Sequence, residues 1–418
     1  MGSLGWDPWD EIPERETQMI SLNEALDAIL DDVLVLGSIE KGLVSSFGSV
    51  TDENVRSDTD IPPFNRAAMD GYAVRCRDLV SAPVSLKQIG SIPAGEHSES
   101  PLAEGTCMKI MTGAPVPEDA DAVVMIEDTE AISEELVRFM KPVSLAENVA
   151  RAGEDVKKGD IVLRKGSLIR GPEIAVCASV GKTTLSVVRA PSVGVLSTGN
   201  EIVEPSVTPQ YGKIRNSNGP MLSSLVTGCG CGAEYMGVAS DSEEGLRKVV
   251  RKGFEKDVFL ISGGVSMGEY DLVPHLLQEE GARILFHRVR VKPGKPLLFA
   301  RKGDCRIFGV PGNPVSNFTS FFMFVRPALR KMMGREDYRP YFTDGELTRE
   351  FTYRSNRALI VPSRCTVLGG ALEVTPFSLN GSADIAGCVG ANCLALFAEG
   401  SKRIGIGERV KVLRIDDN

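Results

Sequence analysis

Three polar turns hold the side chains of this sequence best suited to chemistry, two of them directly after an apolar run. Ser262-Gly263-Gly264-Val265-Ser266-Met267-Gly268 follows Val258–Ile261. Glycine lets backbone N–H groups close on an anion, and a following helix N-terminus adds partial positive charge. Gly263, Gly264 and Ser266 are therefore candidate ligand groups. The pattern is neither of the familiar glycine-rich nucleotide loops, and a structural turn fits the same spacing. Pro311-Gly312-Asn313-Pro314-Val315-Ser316 follows Ile307–Val310 and opens an expected helix over Val315–Arg330. Pro311 and Pro314 stiffen that turn, and Ser316 could donate to a phosphate; a rigid strand–helix turn is the alternative. Lys292-Pro293-Gly294-Lys295-Pro296 sets two ammoniums in a stiff turn, able to offset a pyrophosphate or oxyanion, or simply to be solvated.

Carboxylates come from three further places. Glu201 lies in the turn Ser197-Thr198-Gly199-Asn200-Glu201, after the apolar run Ser192–Leu196. Asp241 precedes an amphipathic stretch from Glu243, and Asp271 lies three residues past Gly268. Each alone suits a helix cap. Together, facing Lys292 and Lys295, they describe a Mg²⁺ site, because magnesium takes one or two carboxylates, waters and substrate phosphates. That reading makes Glu201, Asp241 and Asp271 the candidate metal ligands, and phosphate cleavage beside a divalent ion one candidate chemistry.

Positioning these groups requires alternating strands and helices. The runs Ser192–Leu196, Val258–Ile261 and Ile307–Val310, with amphipathic stretches Gly219–Cys229 and Glu243–Lys256 between them, predict a doubly wound, mostly parallel α/β layer. Ligands of such sheets bind outside the carboxyl ends of the strands, so one shared site is expected there. Upstream, Ser21 with Glu24 forms a capping box for a helix over Ile20–Leu34. Short runs broken by Gly and Pro between residues 61 and 143 predict a β-rich unit, and Pro172–Val180 a helix. The tail from Tyr341 suggests a small barrel or sandwich. From spacing alone, Asp70 and Lys109–Ala114 are structural.

Composition narrows the function. The chain has 418 residues, 42% hydrophobic and 25% charged, with 47 basic against 56 acidic side chains, so two to four globular domains are expected. A net charge of −9 without dense basic runs argues against nucleic-acid and membrane partners. Apolar runs such as Phe321–Val325 are far too short to span a bilayer, and Met1–Pro8 has no secretory pattern. Nine scattered cysteines without a C-x-x-C pair suit a reducing cytoplasm. The three histidines, none near another, make zinc hydrolase and Ser-His-Asp chemistries poor fits.

Seven segments, in order, resemble the molybdopterin molybdenumtransferase family, MoeA and the gephyrin E domain. They are PPFNRAAMDGYAVR (62–75), KIMTGAPVPEDADAVVMIEDT (109–129), VLSTGNEI (195–202), IRNSN (214–218), SGGVSMGEYD (262–271), VKPGKPL (291–297) and GVPGNPVSN (309–317). SGGVSMG is shared with the sister adenylyltransferases, whereas MDGYAVR and TGAPVP are not. The resemblance implies a transferase, with Mg²⁺, that inserts molybdate into adenylylated molybdopterin and releases AMP, the last step of molybdenum cofactor assembly. A molybdopterin adenylyltransferase-like enzyme and a non-catalytic scaffold are the alternatives.

It also implies a homodimer with sites shared between subunits, with molybdopterin adenylyltransferase and molybdoenzyme apoproteins as further partners. Residues 35–60 and 145–172 would form domain I, 61–144 the β-rich domain II, 173–334 the molybdopterin-binding α/β domain III with helix 18–34 against it, and 335–418 a barrel-like domain IV. Carried over by position, Asp70 and Thr112 would reach the partner's site. Glu201, Asp241 and Asp271 would be the acids, Lys292 and Lys295 the cations, and Pro311, Pro314 and Ser316 the third turn. Ser382 alone is carried over from a tail segment, 380–392, that lacks the family's Ser- and Arg-rich helix.

Overall fold

The structure, a computed structural model, describes residues 19–239, 243–265 and 272–416. It divides into two compact units, one made of Lys41–Phe47 and Glu53–Leu185, the other of the described parts of 1–40 and 186–418 together with Gly48–Asp52.

The first unit is built on a six-stranded sheet in the order Ala122–Met125, Gly71–Val74, Thr106–Ile110, Val84–Ile92, Leu136–Phe139 and Thr129–Ser133. Successive side chains leave opposite faces of a strand, so alternation divides the core. Tyr72 and Val74 join Phe139 on one side, while Ala73 joins Met108 and Ile110 on the other.

The second unit contains the expected α/β layer. Its strands are β1 (Ser192–Thr198), β2 (Gly232–Ala239), β3 (Val258–Ser262), β4 (Arg283–Phe286), β5 (Leu298–Lys302) and β6 (Cys305–Val310). They lie in the order β2-β1-β3-β6-β5-β4. β2, β1, β3 and β6 run parallel, and β5 and β4 add antiparallel strands at one edge. Its helices are α1 (Leu22–Asp32), α2 (Asn218–Gly228), α3 (Glu243–Gly253), α4 (Leu272–Glu279) and α5 (Pro314–Ser320). Val258 and Leu260 of β3 face a core shared with α1 and α2, and Phe259 and Ile261 face one shared with α3 and α4.

Helix α1 has the expected capping box, with Glu24 N–H donating to Ser21 Oγ at 3.2 Å and Ser21 N–H to Glu24 Oε2 at 2.7 Å. It starts later than the apolar spacing suggests because Ile20 pairs with the 288–290 backbone instead. The expected helix over Val315–Arg330 is interrupted. A π turn at Phe321–Val325 separates α5 from α6 (Arg326–Met332), and Pro327, which has no N–H to give, lies at its end.

The tail forms a closed five-stranded barrel. Ala358–Leu368 pairs with both Ala371–Pro376 and Cys393–Phe397, and Phe342–Leu347 and Arg409–Arg414 complete the ring. Val291–Lys292 adds to this barrel, parallel to Ala358–Leu359. All nine cysteines are free thiols, and no described helix is long and apolar enough to cross a membrane.

A half-buried ion pair fixes the root of β1. Arg189 grips Asp257 with two bonds of 2.7 and 2.6 Å, while Ser192 donates to the same carboxylate from N–H and hydroxyl, each at 2.8 Å. Burial alone would raise this carboxyl, but the guanidinium and Ser192 outweigh it and hold it at about 2. An unfolded aspartate titrates near ~3.9, so between these values the native state binds fewer protons. The ion pair's stability is thus fully present above about pH 4 and lost as pH falls toward 2. Asp257→Asn is expected to lower the urea midpoint at pH 7 and to flatten its decline between pH 4 and pH 3, measured by circular dichroism.

Candidate functional site

Two adjoining cavities open where β1, β3 and β6 end. The first, about 740 Å³, is walled by Thr198 at the end of β1 and Glu201 after it, Gly263 and Gly264 after β3, and Pro311 and Pro314 after β6. It lies at the switch point of the sheet, where the chain leaves β1 toward β2 on one side and β3 toward β6 on the other.

The glycines are required by close approach. Gly263 has φ +93°, and a Cβ there would sit 2.5 Å from Thr198 O; Gly264 has φ +65°, with its Cβ position 2.8 Å from Thr198 Oγ1. Gly263 N–H donates to Val310 O at 3.1 Å, tying this turn to β6. Beneath it, Ser262 Oγ accepts from Asn218 Nδ2 at 2.9 Å and from Asn317 Nδ2 at 2.7 Å. Asn218 also donates to Gly312 O at 2.7 Å and Asn317 to Pro311 O at 3.2 Å, so two buried amides lock the second and third turns together.

At the other end, Asn216 accepts from Ser197 Oγ at 3.1 Å and donates to Tyr235 OH at 2.8 Å, and that phenol donates to Glu204. Burial, with Glu204 alongside, pushes the Tyr235 phenol up to about 12.

The second cavity, about 580 Å³, is walled by Lys292, Lys295 and Arg357 with Phe351 and Phe377, and by Ser316 and Ser382. None of its described lining residues is acidic. Neither lysine forms an ion pair with a described residue, and Arg357 donates to Val291 O at 3.2 Å. Lys295 O accepts from Val289 and Leu297 N–H, each at 3.0 Å, which closes the lysine turn. Asn313 and Pro296 line both cavities. Asn313 Nδ2 donates to Ser382 Oγ at 2.8 Å, and Ser382 O accepts from Val315 N–H at 3.0 Å.

Of the candidates from the sequence, Glu201, Gly263, Gly264, Pro311 and Pro314 therefore meet in the first cavity, and Lys292, Lys295, Ser316 and Ser382 in the second. The lysines do not open into the cavity that Glu201 lines. Pairing of Val291–Lys292 with the barrel carries their turn off the sheet edge. Asp241, Asp271 and Ser266 lie outside the described residues.

Asp70 and Thr112 belong to the other unit. Asp70 Oδ1 accepts from Thr112 N–H and hydroxyl, both at 2.7 Å. Those bonds, the backbone one foremost, hold the carboxyl below the usual carboxylate range. One oxygen is thereby committed to the turn.

Residues 20–181 match the MoeA N-terminal region (domain I and II), 194–331 the probable molybdopterin binding domain, and 344–415 the MoeA C-terminal region (domain IV). A molybdopterin molybdenumtransferase of Staphylococcus epidermidis is 33% identical over 96% of this chain and 96% of its own length. This chain belongs to the MoeA family. The molybdopterin molybdenumtransferase of Staphylococcus aureus is 32% identical over 94% of this chain and 95% of its own. The crystal structure of a molybdopterin biosynthesis moeA protein from Pyrococcus horikoshii superposes with a TM-score of 0.80 at 30% identity, covering 95% of this chain and all of that one.

Within this MoeA-family chain, the asparagines that organise the site were not singled out from the sequence as site residues. A neutral amide has no charge or metal-ligand pattern to mark it. The signal available was their place inside two of the matched segments, Asn216 and Asn218 in IRNSN and Asn313 and Asn317 in GVPGNPVSN. Arg357, from the barrel, had no signal in its surroundings.

Among the described residues, no group of three His, Cys, Asp or Glu side chains converges. Glu201 is the one carboxylate among the described lining residues of the first cavity. Thr198 Oγ1 and Asn218 Oδ1, of residues on the same wall, are buried with no hydrogen-bond partner among the described residues. The single carboxylate of Glu201 suits a hydrated hard cation that keeps most of its ligands from water and substrate.

Proposed function

We propose that this chain is a molybdopterin molybdenumtransferase: it inserts molybdate into adenylylated molybdopterin, with Mg²⁺, and releases AMP. The observation that carries this reading is the pair of cavities meeting at Asn313 and Pro296, one amide-lined and the other cationic. A tetrahedral oxyanion fits the second, where Lys292, Lys295 and Arg357 offset its charge in a protein of net charge −9. The phosphate-bearing substrate fits the first, beside the Gly263–Gly264 turn and the Asn216, Asn218 and Asn313 amides that line it. Glu201, with Asp241 and Asp271, would hold Mg²⁺, which would neutralise phosphate charge there.

Cleavage of the adenylate link adds water across a P–O bond, the hydroxyl going to one phosphorus and the bridging oxygen leaving with the other. Lys292 and Lys295 meanwhile offset the charge of the oxyanion held in the second cavity. No covalent nucleophile from the protein is required. Incubation with adenylylated molybdopterin, Mg²⁺ and molybdate should release AMP only when molybdate is present. Consumption of ATP with transfer of AMP onto molybdopterin would instead identify an adenylyltransferase.

The proposal extends to a cytoplasmic homodimer in which Asp70 and Thr112 of one subunit serve the other's site, passing product between an adenylyltransferase and molybdoenzyme apoproteins. Asp70→Ala and Lys295→Ala homodimers should each be nearly inactive. Exchanged one to one, they should recover about a quarter of wild-type turnover, because half the sites in each mixed dimer are intact. No recovery in dimers shown to have exchanged would place Asp70 in its own subunit's chemistry or in none.

A further inference from the structure

His287 is nearly buried, 4% exposed, and lies just after β4. Its Nε2 stands 2.6 Å from Val265 O. A carbonyl only accepts, so Nε2 bears the proton and the ring is held in that orientation. Val265 is the last described residue of the glycine turn before residues 266–271. Its side chain is 1% exposed and fills the space beside Gly309, where an added Cβ would meet Val265 Cγ1 at 2.7 Å. The glycine turn is thus fixed by β6 through Gly263 N–H and by His287 through Val265 O.

The other neighbours of His287 along the chain lead to the second cavity. Val289, two residues on, donates to Lys295 O at 3.0 Å, and Val291–Lys292 follows directly. One buried imidazole therefore joins the turn that walls the first cavity to the segment that presents both lysines to the second.

We propose that His287 is a positioning residue that sets the distance between the two halves of the site, bringing the oxyanion and the phosphate-bearing substrate into register. The inference rests on the two-cavity reading of the function. Reaction between two bound groups is far more sensitive to their separation than the binding of either alone. His287 therefore acts on turnover more than on the affinity for molybdate.

The test uses three variants of the full chain. In His287→Gln the amide nitrogen falls near the position of Nε2 and can still donate to Val265 O. In His287→Asn the amide stops near Nδ1, and His287→Leu fills the space without a donor. His287→Gln is expected to keep AMP release within about 3-fold of wild type, whereas the Asn and Leu variants lose about 30-fold in kcat. KM for molybdate should change less than about 2-fold in all three.

Hydrogen exchange gives a readout independent of activity. The peptide covering 258–273 should exchange at least about 10-fold faster in the Asn and Leu variants and at the wild-type rate in the Gln variant. Equal exchange and equal kcat in all three variants, or equal losses in all three, would overturn the proposal; if the Leu variant does not fold, the Gln–Asn pair decides. A wild-type protein that releases no AMP would instead overturn the functional reading, with the exchange comparison still deciding whether His287 holds the turn.

Discussion

Replacing Lys292 and Lys295 together by methionine is expected to lower molybdate-dependent AMP release by about 10³-fold and to raise KM for molybdate at least about 10-fold. Methionine keeps an apolar stem and removes only the charge. Both lysines are exposed, and the backbone they stand on is fixed by pairing with Ala358–Leu359 and by the bonds to Lys295 O, so the fold should persist. No described residue lining their cavity is acidic, and after the double substitution Arg357 remains as its one described cation. Each single variant should lose less than the pair, because the remaining ammonium still reaches the same anion. Steady-state kinetics at two salt concentrations checks the result: the wild-type KM should rise with ionic strength and that of the double variant should not. An unchanged KM for molybdate would remove the oxyanion from this cavity.

The α/β layer was legible because local and global signals agree there. Val258–Ile261 and Ile307–Val310 are runs rich in β-branched and aromatic residues, buried on both faces as parallel strands are, and each is followed within two residues by glycine or proline. That agreement also placed Glu201, Gly263, Gly264, Pro311 and Pro314 on one edge. Strand order was not legible, since pairing of β1 with both β2 and β3 is a choice among distant partners.

The same limit separated the lysines from Glu201. Nothing within residues 291–297 encodes that Val291–Lys292 will pair with Ala358–Leu359, a contact decided by the barrel's closure more than sixty residues later. His287 illustrates a further kind of invisibility. As one of three isolated histidines it offered no cluster, and its role comes from a backbone carbonyl, which has no sequence signature.

The floor of the first cavity is set by the close approach of the glycine turn to β1, and Gly263→Ala is the sharpest probe of it. At φ +93° an alanine is strained whatever surrounds it, and here its Cβ would lie 2.5 Å from Thr198 O and 3.2 Å from Thr198 Oγ1. Both β1 and the turn after β3 are parts of the packed sheet, so relief requires moving Gly263 away from Val310 O and breaking that bond. The expected cost is about 2–4 kcal/mol in unfolding free energy, with AMP release down more than about 100-fold. Gly312→Ala is the internal control. Gly312 lines the same cavity, but its added Cβ would find Gly263 Cα no nearer than 3.7 Å, and its φ lies outside the left-handed region. It should change stability by less than about 1 kcal/mol. Urea unfolding read alongside AMP release separates the two outcomes. If the two alanine variants behave alike, the close approach of the glycine turn to Thr198 is not what shapes the site.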